Sequence, residues 1–328
     1  MSTPRDLLGD LVRTIGRRHE PPAEDYEHVL LAARSAWQKK VRERKRQRAF
    51  LAMAACLAIV LISGATLMRW TMTKPALLAS TLLVHGDVRV QSPGESVWRR
   101  MRTAEEMASG VRVRSGLNSG AALALSDGTS LRLGAHSQIT FDSARVVKLH
   151  AGALYVDTGV AHAAGSLRID TPLGAVHDVG TTFEVLAAAD AVRVRIREGR
   201  VRLDRVGAVS DIQAGHDEEV EIDREGHVMR RAFSRNGKEW KWAESLAVAP
   251  DIEGRPLLQL LVWVARETGR QLKFDGPEAE AQARSVTLHG TAANLAPLEA
   301  LDVLLSTTDL EYVLPSDQLI VIRQRQDN

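Results

Sequence analysis

The residues best able to do chemistry in this chain are its ten histidines. His136, His150, His162, His177 and His216 are scattered through stretches that read as turns and strands. No pair of them has the i, i+4 spacing that puts two imidazoles on one helix face for zinc. The single cysteine, Cys56, lies inside an apolar run and offers no thiolate to them. His177-Asp178 reads as a base beside its orienting carboxylate or, more simply, as turn residues. Asp217-Glu218-Glu219 reads as a weak calcium ligand set or, more simply, as a solvated turn. The chain has no G-x-S-x-G elbow, P-loop or dinucleotide fingerprint. The expectation is a binding protein, not an enzyme, with no cofactor and no metal.

The remaining chemistry is cationic. Val192-Arg193-Val194-Arg195-Ile196-Arg197 is followed by Glu198-Gly199 and then Arg200-Val201-Arg202-Leu203. Alternation with period two places the valines on one face of a strand and the arginines on the other. Glu198-Gly199 signals a tight turn, so the pattern predicts a hairpin with all these arginines on its outer face, and Arg112 and Arg114 near them. Such a row either docks onto an acidic partner or polyanion, or is a solvated face with cross-strand glutamates. For docking, the candidates are Arg193, Arg195 and Arg197, together with Trp240 and Trp242 of a polar, basic segment further on.

These residues sit in a chain whose layout is set by one run. Ala49 to Met68 is twenty residues without a charge, long enough at about 1.5 Å per residue to cross a bilayer core. Lys39, Lys40, Arg42, Arg44, Lys45, Arg46 and Arg48 precede it. Basic flanks stay in the cytoplasm, so residues 1–48 are expected inside and the tail outside, with Trp70 at the interface and the basic cluster near inner-membrane lipid. A cleaved signal would have its apolar core much nearer the start. Near-neutral charge, 43 Lys and Arg against 41 Asp and Glu, gives no case for a nucleic-acid partner.

The head, 1–48, is read as short and helical. Leu7, Leu8, Leu11, Val12 and Ile15 recur at helical spacing, Pro21-Pro22 interrupts, and Tyr26, Val29, Leu30, Ala33 and Trp37 then share one face. That stripe suits a protein partner or a stalk lying on lipid. From 80 to 228, short alternating strands between glycine turns predict an all-β domain, a sandwich or a roll, with Asp127-Gly128 as another turn. Residues 229–249 read as a linker or docking strand. In 250–323, Pro256 and Gly269 bracket a helix with Leu257, Leu258, Leu260, Leu261, Val264 and Ala265 on its apolar face. Gln271–Phe274 and Ser285–His289 read as strands. Asn294 is placed to cap a helix with Leu298, Leu301, Leu304 and Leu305, and Leu310–Leu314 pairs with Leu319–Ile322 across Pro315-Ser316-Asp317-Gln318. The expected order is helix, strand, strand, helix, strand, strand, a small α+β unit.

Taken in order, several stretches resemble the FecR family of membrane-bound sigma-factor regulators. They are LSDGTSLRLGAHSQITF, VVKLHAGALYVDTG, LRIDTPLGAVHDVGTTFEV, VRVRIREGRVRL and IQAGHDEEV. The C-terminal part, IEGRPLLQLLVWVARETGRQLKF with VTLHGTAANLAPLEALDVLLSTTDLEYVL, is similar to the short STN module that closes many such tails. The resemblance implies a single-pass inner-membrane protein with its N-terminus in the cytoplasm and its C-terminus in the periplasm. The head would act on an extracytoplasmic-function (ECF) sigma factor, with Tyr26, Val29, Leu30, Ala33 and Trp37 in contact. The tail would meet a TonB-dependent outer-membrane transducer. The competing expectation is an envelope scaffold whose head is only an anchor. Relative to the family, the head is short and its tryptophan content is reduced to Trp37.

Overall fold

In the computed structural model of the chain, residues 76–159, 167–205 and 212–325 are described, together with Trp37. The apolar run 49–68 and the residues Tyr26, Val29, Leu30 and Ala33 lie outside the described residues. No helix among the described residues is long and apolar enough to cross a membrane.

The alternating segments build two sheets that share one strand. The first contains β4 (Glu106–Met107), β1 (Ala79–His85), β6 (Gly120–Leu125), β7 (Ser130–Leu133), the second half of β9 (Val146–Asp157), β12 (Thr182–Ala187), β13 (Ala191–Glu198), β16 (Glu218–Asp223) and β17 (Val228–Ala232), in that spatial order. The second runs β3 (Arg99–Arg100), β2 (Val88–Gln91), β5 (Arg112–Ser115), β8 (Gln138–Ser143), the first half of β9, β10 (Arg168–Thr171), β11 (Gly174–Asp178), β14 (Arg200–Arg205) and β15 (Ile212–Gly215). Neighbours are antiparallel except β9 and β10.

Going along the chain, segments alternate between the two sheets, and both layers grow in the same direction. The result is a two-sheet roll, one of the two all-β forms the sequence left open. β9 passes from one sheet to the other at Gly152, whose φ of +86° is costly for any residue with a Cβ and whose missing side chain leaves room for Ser137. The core lies between the sheets and is almost wholly aliphatic, with Leu123, Leu131, Ile139, Leu154, Val185, Val194 and Val220 among its members, plus Phe141 and Phe183.

The expected β13–β14 hairpin is not formed. β13 pairs with β12 and β16, whereas β14 pairs with β11 and β15. Glu198-Gly199 is a corner between the sheets, with Gly199 at φ +82°. A glycine turn signal is the same for both structures, and burial of the two apolar faces against each other decides between them.

After β17 the segment read as a linker forms a single 3₁₀ turn, Lys238–Trp240, and a short helix α1 (Lys241–Glu244). The C-terminal unit comes next. Its helix α2 (Leu257–Thr268) starts after Pro256 and stops at Gly269 in the left-handed region, as the capping pattern predicts. β18 (Gln271–Phe274) lies parallel to β20 (Leu319–Gln324), and β19 (Leu310–Ser316) is antiparallel to it.

Two elements differ from expectation. Helix α3 (Pro277–Ser285) occupies a stretch with no strong periodicity, because its buried face is only Ala279 and Ala283. The expected strand Ser285–His289 is reduced to one bridge, Thr287 with Pro256. Helix α4 (Pro297–Leu305) is preceded by Ala296, whose N–H donates to the Glu299 carboxylate at 3.0 Å. Asn294 sits earlier, in a left-handed turn at φ +65°, and does not cap the helix. The order is therefore helix, strand, helix, helix, strand, strand. The three helices pack on the short sheet through Leu257, Leu260, Val264, Leu301, Leu310 and Ile322.

Candidate functional site

The outer face of the first sheet, on the side away from the roll's core, should be polar if it were solvated. It is polar and largely buried. In β13 the inward residues are Val192, Val194 and Ile196, so Arg193, Arg195 and Arg197 point outward. The same parity puts Arg132 of β7, Tyr155 of β9, Glu184 of β12 and Glu219 of β16 on that face. Register then aligns them. Arg132 is opposite Tyr155, Tyr155 opposite Glu184, Glu184 opposite Arg195, Arg195 opposite Glu219, and Glu219 opposite Arg231 of β17. This is one continuous cross-strand row whose charged members alternate in sign wherever they are direct neighbours.

The row is closed by hydrogen bonds. Arg195 reaches Glu184 with Nη1 at 2.9 Å and Glu219 with Nε at 2.7 Å. Arg193 lies 2.7 Å from Glu221 and 3.3 Å from Glu219, and Arg231 also pairs with Glu219. Glu184 and Glu219 are 2% and 1% exposed, which only this many charge-assisted partners can sustain. Burial pushes the Glu184 carboxyl upward, while Arg195 and the indole of Trp242 pull it back.

Segment 233–246 covers this row. Trp242 donates Nε1 to Glu184 at 2.8 Å, and Phe233 lies under the Arg195 guanidinium at 4.6 Å. Trp240 is fully buried, edge-on to Tyr155 and Phe233, and donates Nε1 to the Ser234 carbonyl. The Arg197 guanidinium stacks 4.5 Å from the Trp240 ring. A bulge between Thr182 and Phe183 leaves Arg197 without a partner on β12 and frees it to reach across. It donates to the carbonyls of Arg235 at 2.6 Å and Glu267 at 2.7 Å, and to the Glu244 carboxylate at 2.8 Å. Burial pushes the Tyr155 hydroxyl up to about 12, against the pull of Arg197 and Arg132.

Helix α2 completes the site. Arg132 donates to the Ala243 carbonyl at 2.9 Å and to Glu267 at 2.8 Å, and Arg266 pairs with Asp157. Both Arg132 and Glu267 are buried. These contacts fix the C-terminal unit to the roll through ion pairs in a low-dielectric seam. Chemically, the arrangement clamps two surfaces together by charge.

Of the residues expected to dock on a partner, Arg193 is part-exposed with its glutamate in place. Arg195 is mostly covered, Arg197 and Trp240 are buried, and Trp242 is half-buried. Their partners are inside this protein. Arg200 and Arg202 stand on the second sheet, as do Arg112 and Arg114, the latter stacked 4.3 Å from the Trp98 ring. Trp37 is helical and exposed. His177 and Asp178 are adjacent on β11 and so face opposite sides. His177 bonds Asp204 at 2.6 Å, and Asp178 bonds Thr181. Asp217, Glu218 and Glu219 diverge, to Arg235, Arg230 and the arginines of the row. Arg132, Asp157, Glu184, Glu244 and Glu267 are the members that sequence reasoning missed. For Arg132, Asp157 and Glu184 the only signal was a charge in an otherwise apolar strand, as in Phe183-Glu184-Val185; Glu244 and Glu267 lie in helices and gave none.

Two solved structures of a candidate anti-sigma factor from Parabacteroides distasonis ATCC 8503 are similar to this chain. They have TM-scores of 0.35 and 0.36 and identities of 16% and 17%, each match covering 66% of this chain and 99% of that one. No curated protein matches. Residues 111–202, the run from the start of β5 into β14, match the family model described as FecR protein.

Proposed function

We propose that this chain regulates an ECF sigma factor from the inner membrane. Residues 49–68 cross the bilayer, 1–48 face the cytoplasm, and the roll with its C-terminal unit faces the periplasm, where it responds to a TonB-dependent transducer. The observation that carries this reading is the FecR match over 111–202, at the centre of the roll. The basic flank before the apolar run supports the orientation. A periplasmic contact controls the head only if it binds differently to two states of the protein. The reading assigns this role to the seam of ion pairs between the roll and α2, which would pass from the docked arrangement to an undocked one. In the cytoplasm, the stripe Tyr26, Val29, Leu30, Ala33 and Trp37 is the sigma-factor contact.

The test is co-purification of the full-length chain in detergent with each ECF sigma factor of its host. One sigma factor is retained by the wild type and lost from Trp37→Ala and Leu30→Glu, with membrane insertion unchanged. Retention of none overturns the reading. Equal retention by both variants removes the stripe from it.

A further inference from the structure

The charged row stops at an open edge. Among the described residues β17 hydrogen-bonds to β16 alone, and none of them pairs with the backbone groups on its other side. Every residue of β17 is exposed. Val228 and Met229 are 37% and 59% exposed, and the side chains of Arg230 and Arg231 are 46% and 61% exposed. Beside the strand lies a cleft of about 320 Å³ lined by Glu219, Glu221, Met229, Arg230 and Arg231.

We propose that β17 is a docking edge for an extended acidic segment of a partner protein, which adds antiparallel as the next strand of the first sheet. Sign alternation chooses the occupant. Across β12, β13, β16 and β17 the row reads Glu184, Arg195, Glu219, Arg231, so the next position calls for a carboxylate. Arg230, bonded to Glu218 at 3.1 Å, calls for a second one on the opposite face. Met229 and Val228 call for apolar residues. Read antiparallel to Ala232–Val228, the incoming strand is any residue, acid, acid, apolar, apolar. β16 meets β17 from the other side with an acid, Glu219, opposite Arg231 and an apolar residue, Ile222, opposite Val228, while Val220 stands opposite Arg230 and Glu221 opposite Met229.

A second copy fits poorly. Two β17 strands paired about their centres would set Arg230 against Arg230, a destabilising like-charge pair. The same arginines that block self-pairing therefore select an acidic strand. The edge and its charges belong to the first sheet and are independent of the sigma-factor reading.

The test is amide hydrogen exchange on the full-length chain in detergent, with the peptide Thr-Glu-Glu-Val-Val-Thr and its control Thr-Lys-Lys-Val-Val-Thr, each to millimolar concentration. The readout is the edge-facing amides Val228, Arg230 and Ala232, since the alternate amides Met229 and Arg231 already face β16. The acidic peptide protects those three at about tenfold lower concentration than the lysine peptide, as two cross-strand pairs imply. Arg230→Glu, whose side chain pairs with the part-exposed Glu218 outside the buried row, cancels the preference without disturbing that row, and Arg230→Glu combined with Arg231→Glu reverses it. Four results overturn the proposal: no protection by the acidic peptide, equal protection by both, protection without peptide that grows with protein concentration, and protection without peptide at every concentration. The third means that a second copy holds the edge, and the fourth that another part of the chain does.

Discussion

Buried charge decides the energetics at single residues. Arg132 and Glu267 each depend on the other, because either one alone would be an unpaired ion under cover. Arg132→Met is expected to cost about 3–5 kcal/mol, most of it from the stranded carboxylate of Glu267. Arg132→Met combined with Glu267→Leu should recover most of that loss, since an apolar pair needs no desolvated partner. Urea unfolding of the single and double variants measures both numbers. If the double variant is as unstable as the sum of the two singles, the pair is not coupled and Arg132 is held mainly by the Ala243 carbonyl.

Glycine corners and end caps govern the elements. Gly152→Ala places a Cβ at positive φ against Ser137, so it should destabilise the roll by more than about 1 kcal/mol, read as a lower urea midpoint with unchanged m-value. The β16–β17 turn carries its own pH dependence. His227 Nδ1 lies 2.8 Å from Asp223, which raises the imidazole pKa above its ordinary value of about 6.5 and lowers that of the carboxyl below about 4. A raised histidine gives its support below pH about 6.5 and loses it as pH rises through the folded value. A lowered aspartate gives its support above pH about 4 and loses it as pH falls. Protection of the amides in this turn, relative to intrinsic exchange at each pH, should therefore be highest between those limits. His227→Asn should remove the loss at high pH while leaving part of the loss at low pH to the backbone bonds that Asp223 accepts. Elements with a local cause were legible from sequence: β13 and β18 by alternation, α2 by Pro256 and Gly269. Those that depend on what lies across from them were not. Glu198-Gly199 serves a hairpin and a corner equally well, α3 hides behind a two-alanine face, and Trp240 is read as a linker residue until Arg197 is placed on its ring. The arginines are plain in the alternation, but their partners are set by register across β7, β9, β12, β13 and β16, which no local pattern specifies.

On the scale of the molecule, the question is whether the roll and the C-terminal unit behave as one body. Pro75–Asn328 forms a single compact unit, and its internal seam is charged: Arg132 with Glu267, Arg197 with the Glu267 carbonyl and the Glu244 carboxylate, Arg266 with Asp157. Opening that seam would rehydrate Glu267 and Asp157 but leave Arg132 facing a partly covered sheet, so opening is costly unless a partner supplies replacement contacts. A chain ended after Ala249 should therefore unfold at lower urea, by about 3–5 kcal/mol, because Arg132 loses the carboxylate it bonds. In a chain of residues 76–325, Trp240 fluorescence and helical circular dichroism should change together, since the buried indole reports the seam and the helices of the described residues belong mostly to the C-terminal unit. Two separate transitions, with a truncated roll as stable as the intact one, would show the units to be independent and would remove the seam as a switch. Coincident transitions would instead mean that anything that displaces α2 also loosens segment 233–246 and the row beneath it, as far as the open edge at β17.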